Sequence, residues 1–313
     1  CKLPPDTDCD GAFGPGEYCF ANTGLDVATS GPRSAVVADF NGDGKLDFIT
    51  ADPVPKTVHV RVGNGMGGFD AGANFAIPDG LPSALATADI DADTDADIMV
   101  ISPAGVTVMT NTGNAKFINN GPALAGSGAP LAIVAADIDG DGDPDFATAD
   151  GLGNKLSIRW GAVGATFSAP TTLKAMYEVT DIAAVDMQGD GKLDLVALNK
   201  QSGTVSVYLN QGARKFARQR TYRVPVGASI MEIADINGDG NPDLLVVDSA
   251  AKSLYVRKGT AQGTFQDPAY HVRLGVIATE LAVADVNGDG DLDVIAVHAS
   301  AVAVATGDGT GKF

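Results

Sequence analysis

Cysteine is nearly absent from this chain of 313 residues, and all three, Cys1, Cys9 and Cys19, fall within the first 20 positions. That distribution fits an N-terminal staple in an oxidising compartment better than a catalytic or zinc cluster. Aromatic residues are scarce too, at 6% with a single tryptophan, which weighs against a sugar-binding surface built on ring faces. Basic residues are outnumbered 21 to 39, and a net charge of -18 repels nucleic acid and anionic membranes. No apolar run is long enough to span a bilayer. No basic-plus-apolar leader is present either, so a targeting segment is expected to have been removed or to lie outside this sequence. The three histidines, His59, His271 and His298, lack metal-ligand spacing. Neither Gly-x-Ser-x-Gly, His-Glu-x-x-His, Arg-Gly-Asp nor Asn-x-Ser/Thr occurs. Catalysis therefore has no visible foothold, and the chain reads as a non-enzyme.

What the sequence does hold is a nine-residue acidic loop, Asp39-Phe40-Asn41-Gly42-Asp43-Gly44-Lys45-Leu46-Asp47, set between apolar segments. Side-chain oxygens at positions 1, 3, 5 and 9 and the backbone carbonyl at position 7 suit a hard cation, with calcium the fit, and glycines at positions 4 and 6 permit the tight turn. Six such loops occur: Asp39, Asn41, Asp43, Lys45 and Asp47; Asp89, Asp91, Asp93, Asp95 and Asp97; Asp137, Asp139, Asp141, Asp143 and Asp145; Asp186, Gln188, Asp190, Lys192 and Asp194; Asp235, Asn237, Asp239, Asn241 and Asp243; Asp285, Asn287, Asp289, Asp291 and Asp293. Positions 1, 3, 5 and 9 take up 20 of the 39 acids, and six divalent ions would cancel 12 of the 18 net charges. The acidity is thus better explained by metal than by a partner. At position 12, where a sensor loop carries glutamate, stand Thr50, Val100, Thr148, Ala197, Val246 and Ala296, so about six calcium ions are expected to be structural. In the second loop Ala92 and Thr94 replace both glycines, and this site is expected to be the most distorted.

The loops recur at separations of 50, 48, 49, 49 and 50 residues. Phe20, Phe69, Phe117, Phe167, Phe216 and Phe265 keep step, each 19 or 20 residues ahead of a loop, and Phe313 ends the chain one period on. Within a period the pattern is β throughout. A strand such as 281–284 enters the loop, one such as 294–297 leaves it, a third alternates over 204–209, and a fourth is expected to begin at Phe216. Four strands per repeat, set radially, describe an all-β, six-bladed β-propeller of four-stranded antiparallel blades. Residues 18–28 look like a fourth strand without a preceding three, so the N-terminal strand is expected to close the last blade and hide both open edges. Seven blades is the alternative, although residues 1–19 are too short to supply three strands. The domain division is accordingly 1–19, an acidic linker or cap, and 20–313, the propeller.

Loop sequence, loop position and the Gly-x-Gly-x-x-Phe style turn together resemble the FG-GAP/VCBS repeats of integrin-α-like calcium-binding β-propellers. The resemblance covers about residues 20–313 and implies one calcium ion per loop, on the underside of its blade. That family includes fungal lectins of the Psathyrella velutina type, bacterial surface proteins and propellers attached to enzymes. The implied role is an extracellular or periplasmic calcium-stabilised binding or adhesion module for a protein or glycan on a cell surface or matrix. A multivalent lectin and a non-catalytic accessory domain of a larger secreted enzyme are the alternatives.

Residues outside the repeat carry the remaining expectations. Asp6-Thr7-Asp8-Cys9-Asp10-Gly11 with Glu17 matches a twelve-residue calcium loop, against a solvated acidic linker as the other reading. A Cys9–Cys19 disulfide would contribute about 2 to 3 kcal/mol. Cys1 would then be left over, either a lipid-anchored residue of a bacterial lipoprotein or an arbitrary chain boundary. Gly63-Asn64-Gly65-Met66-Gly67-Gly68 satisfies a dinucleotide pattern but recurs as Gly307-Asp308-Gly309-Thr310-Gly311, which makes it a hairpin turn. Asp181, Glu232 and Glu280 occupy the innermost strands of the last three blades and should share one face, either as an acidic ligand-binding patch at the central channel or as carboxylates satisfied by backbone or arginine. Eight residues before each marker phenylalanine stand Arg61, Met109, Arg159, Tyr208, Arg257 and Ala305. With Trp160, His59 and Tyr255 they either line grooves between blades for a sugar or cover apolar surface.

Overall fold

The computed structural model describes residues 31–313 apart from 67, 79, 126, 127, 299 and 300. The N-terminal closing strand, the Cys9–Cys19 pairing, Cys1 and the acidic segment 6–17 lie outside the described residues. Within them every regular element is a strand, and the strands form an all-β propeller.

Five blades are four-stranded antiparallel meanders. The first runs Ser34–Ala38, Asp47–Asp52, Thr57–Gly63, Phe69–Ala76, and the second Ala84–Ala88, Asp97–Ser102, Gly105–Asn111, Phe117–Asn119. Pro130–Ala136, Asp145–Asp150, Lys155–Arg159 and Thr171–Lys174 make the third; Val179–Val185, Asp194–Asn199, Thr204–Tyr208 and Arg220–Arg223 the fourth. The fifth comprises Met231–Ala234, Asp243–Asp248, Ser253–Arg257 and Tyr270–Arg273. The sixth shows three strands among the described residues, Glu280–Ala284, Asp293–His298 and Ala301–Ala305. The innermost strands of consecutive blades pack on one another around the hub.

The second strand of each blade is the structural centre, and its composition says why. Asp97–Ser102, Asp145–Asp150 and Asp194–Asn199 are buried at every residue, because a neighbouring blade covers each face. Side chains alternate between faces, so alternate residues feed two different cores. Ile98 and Val100 join the core shared with the first blade, whereas Met99 and Ile101 join the one shared with the third. Leu195 and Ala197 pack toward the third blade, Val196 and Leu198 toward the fifth. Outer strands such as Phe69–Ala76 are largely exposed.

One expectation is corrected. The marker phenylalanine opens the fourth strand at Phe69 and Phe117, but Phe216 makes only an isolated bridge with Asn210, and its strand starts at Arg220. Phe167 and Phe265 sit in two-residue ribbons, opposite Gly161 and Gly259, ahead of Thr171 and Tyr270. What the marker ring has in common is anchoring, whether or not it starts a strand: Phe117 packs edge-on against Phe40 at 5.9 Å, and Phe167 against Phe146 at 5.0 Å.

Because Leu198 is fully buried between two blades, Leu198→Ala should cost about 2 to 5 kcal/mol of unfolding free energy in urea titrations. Val226→Ala, at a 75% exposed position, should leave the midpoint unchanged.

Candidate metal centres and blade seams

Each acidic loop joins the first strand of a blade to the second, and its ninth residue is the first residue of that second strand. Those six aspartates, Asp47, Asp97, Asp145, Asp194, Asp243 and Asp293, are fully buried. Their carboxylates follow one plan. One oxygen accepts the N–H of loop position 2, as from Phe40 at 3.0 Å, Ile90 at 2.7 Å and Val286 at 3.0 Å. The other accepts an N–H from the hairpin after the third strand: Gly63 at 2.8 Å, Asn111 at 2.6 Å, Gly161 at 2.7 Å, Asn210 at 2.6 Å, Gly259 at 2.6 Å and Gly307 at 2.8 Å. Burial nevertheless pushes Asp97, Asp145 and Asp243 up to about 6, with neighbouring loop carboxylates adding to the rise.

The rest of the loop folds around position 1. Asp39 accepts the N–H of Asp43 at 3.2 Å and of Gly44 at 2.7 Å, and Asp89 accepts from Asp93 at 3.1 Å and Thr94 at 3.0 Å. Position 5 accepts from position 7, which turns the position-7 residue; in the first and fourth loops Lys45 and Lys192 then reach back to Asp43 at 3.0 Å and Asp190 at 2.8 Å. In the second loop Asp91 Oδ1 has no hydrogen-bond partner, whereas position 3 accepts the N–H of position 5 in the first, third, fifth and sixth loops. Ala92 and Thr94 take φ of 64° and 77°, matching Gly42 and Gly44 at 74° and 81°, so the cost of a β-carbon is borne locally and the turn is kept.

Carboxylate oxygens of Asp89, Asp91 and Asp93 come within 4.8 Å of one another, as do those of Asp137, Asp139 and Asp145. Asp91 Oδ1 is buried with no hydrogen-bond partner, and burial together with the charges of Asp93 and Asp89 raises its pKa. An all-oxygen donor set with an orphaned, repelled carboxylate fits a hard divalent cation, so these residues can hold one.

A residue overlooked in the loop pattern is position 2. Phe40, Ile90, Ile138, Met187 and Ile236 are buried, and each enters the core shared with the next blade. An apolar residue at that place in all six loops is the signal that was available.

The residues eight before each phenylalanine lie at the seams, but their polar atoms are engaged. Arg159 donates to the carbonyls of Ser168 and Ala125, both at 2.6 Å. Tyr208 donates to Lys174 O at 2.9 Å, and Arg257 and Tyr255 both donate to Arg223 O, at 3.2 and 2.9 Å. Each ties its blade to the one before. Met109 is core, Arg61 donates to Val60 O at 2.8 Å, and Trp160 Nε1 donates to Thr171 Oγ1 at 3.0 Å. His59 pairs with the fully buried Asp52 at 3.4 Å inside the first blade. Clefts open at the seams among the described residues. One of about 320 Å³, between the third and fourth blades, is lined by Lys174, Met176, Tyr208, Arg218 and Gln219; another, about 220 Å³ between the second and third, includes Asn120, Ala165 and Phe167.

At the hub, Asp181, Glu232 and Glu280 stand on the innermost strands of the fourth, fifth and sixth blades. Asp181 accepts the N–H of Ile182 at 2.9 Å and of Met231, in the next blade, at 3.0 Å. Backbone satisfies it. Burial pushes its carboxyl up to about 7, with both glutamates adding to the rise, and Glu232 and Glu280 are raised by burial as well.

A family model for the FG-GAP-like repeat matches residues 39–100, 89–148, 186–246 and 235–296, each match running from one acidic loop to the strand after the next. A search of curated proteins returns no match. Among solved structures, an Agrocybe aegerita lectin that recognises non-reducing terminal N-acetylglucosamine aligns with a TM-score of 0.60 at 22% identity, over 89% of this chain and 78% of the lectin. BBS1N in its complex with ARL6DN aligns at 0.62 and 11% identity, over 91% and 80%. Virginiamycin B lyase from Staphylococcus aureus aligns at 0.61 and 12% identity, over 91% and 84%. At these identities the likeness is one of fold.

The hub carboxyl generates a pH prediction. Asp181 binds its proton more tightly folded, at about 7, than at its ordinary 3.8, so its stabilising contribution is full below about 4 and is lost as pH rises through about 7. In constant excess calcium, urea unfolding of the native chain should show this decline, and Asp181→Asn should flatten it by up to about one proton. An identical pH slope in the variant would contradict the assignment.

Proposed function

The chain belongs to the FG-GAP-like repeat family, and on that premise we propose an extracellular or periplasmic, calcium-stabilised propeller that binds a protein or glycan surface. About six calcium ions act as structural pins, one per loop, held by positions 1, 3, 5 and 9 with the carbonyl of position 7. The observation that carries the metal reading is the orphaned, buried oxygen of Asp91 within a converging carboxylate set. A dication there would offset the burial and the neighbouring charges that raise Asp91 and, by binding only the native fold, would stabilise it by mass action.

Binding is assigned to the seams because the blades differ there while the loops repeat. The cleft between the third and fourth blades has an apolar floor at Leu173 and Met176 and a polar rim at Lys174, Arg218 and Gln219, a mixture suited to a peptide or a sugar. The Tyr208 hydroxyl nearby is engaged by Lys174 O and Gln219 Oε1 and is not set out as part of a nucleophile and base pair, which supports a binding module over an enzyme. The glycan reading is the second one, favoured by this same cleft.

Chelation should lower the melting temperature at low salt, and calcium should restore it; an unchanged melt in EDTA would sink the metal reading. For the ligand, a glycan array in calcium is the decisive measurement. Repeated hits on one terminal sugar, lost in Met176→Arg, support a lectin using this cleft. Silence supports protein recognition, and hits that survive the variant move the site elsewhere.

A further inference from the structure

The hairpins after the third strands of the second to sixth blades pack against the acidic loop of the preceding blade, and the fifth residue of each lies at that contact. In the second blade this is Ala115, whose N–H donates to Phe40 O of the first loop at 2.9 Å. In the third it is Ala165, packed on the core that contains Ile90 of the second loop. In the fifth and sixth it is Gly263, where a β-carbon would meet Gln188 Cγ at 2.9 Å, and Gly311, where one would meet Asn237 Cβ at 3.1 Å. Four of the five seams so described thus place alanine or glycine against the loop, at a left-handed φ of 55°, 55°, 64° and 76°.

The remaining seam has Arg214, with the same backbone at φ 61°. Its Nε lies 2.5 Å from Asp139 Oδ2 and its Nη2 3.1 Å from Asp141 Oδ2 in the third loop. Its guanidinium also stacks on Trp160 of the third blade, 5.2 Å from the ring centre. Asn210, at the head of the same hairpin, donates its side-chain amide to Ile138 O of that loop at 2.7 Å and its backbone N–H to Asp194 Oδ1 of its own at 2.6 Å, so the hairpin is held in place. Asp139 Oδ1 and Asp141 Oδ1 already accept the N–H groups of Asp141 and Asp143, at 3.1 and 3.0 Å. The oxygens that the backbone leaves free at positions 3 and 5 are the ones the arginine takes.

We propose that Arg214 is a built-in cation that competes with calcium for Asp139 and Asp141, so that the third loop alternates between an arginine-clasped and a metal-filled state. This rests on the calcium reading above. Filling the loop requires the guanidinium to leave the Oδ2 atoms, and with them the face of Trp160. The third loop therefore fills at higher calcium than its four carboxylates alone would dictate, and metal binding there loosens a contact between the third and fourth blades instead of adding one.

Trp160 is the chain's single tryptophan and so reports this loop selectively. Terbium luminescence sensitised through Trp160, and displaced by calcium, should show the third loop of Arg214→Ala binding calcium roughly tenfold more tightly than the native chain, with Arg214→Lys in between. Native Trp160 fluorescence should change on calcium addition as the stacked cation departs, and Arg214→Ala should lack that change. In EDTA Arg214→Ala should melt below the native protein, and in saturating calcium the two should converge. An unchanged or weakened Trp160-reported affinity, or the same melting deficit in both conditions, overturns the competition. Calorimetry on the native chain separates the two failures: no calcium uptake at all defeats the metal reading itself, whereas uptake that is indifferent to Arg214 defeats only this inference.

Discussion

The structure depends on a buried carboxylate that accepts two backbone N–H groups from two different segments. At Asp47, Asp97, Asp145, Asp194, Asp243 and Asp293 one oxygen closes the acidic loop and the other captures the hairpin beyond the third strand. Hydrogen bonds to a charged acceptor are worth about 1.5 to 3 kcal/mol each, and removing the acceptor would leave both donors orphaned. The same burial penalises the charge, which is why several of these aspartates are shifted upward. A loop rich in further carboxylates makes the penalty worse unless a cation shares the site. Loop and strand therefore form one problem with one solution, repeated around the ring.

That staple also explains the seams. By holding the loop against its own hairpin it aims position 2 outward into the neighbouring blade, where Phe40, Ile138 and Met187 complete apolar cores. Polar cross-links then run backward, from Arg159, Tyr208 and Arg257 to carbonyls of the previous blade. Apolar plugs point one way and hydrogen bonds the other, so adjacent blades are held by two independent sets of contacts. The hub follows the same rule, with Asp181 accepting from Met231 in the next blade.

Variation is concentrated where this scheme leaves room. Arg214 occupies a place held elsewhere by Ala115, Ala165, Gly263 and Gly311, and it brings a positive charge onto the third loop. The largest seam cleft described lies between the same two blades, third and fourth. Uniform loops and non-uniform seams are what a scaffold needs if it is to hold one shape while presenting a particular surface.

The repeat period, the β character and the six loops were all legible in the chain, because each is a local property. Alternation marks a strand, an acidic spacing marks a loop, and the turn at Ala92 and Thr94 kept its left-handed form because the surrounding acceptors demand it. The start of the fourth strand was misread at Phe216, since an aromatic residue favours a strand and an anchor alike and only its neighbours distinguish the two. The particular partners of the seam arginines, of Asp181 and of Arg214 were beyond reach for a different reason. Their partners lie 34, 50 and 75 residues away along the chain, and no local pattern registers a contact at that distance. Sequence by itself determined the blade; which side chains hold one blade to the next was decided only when the blades met.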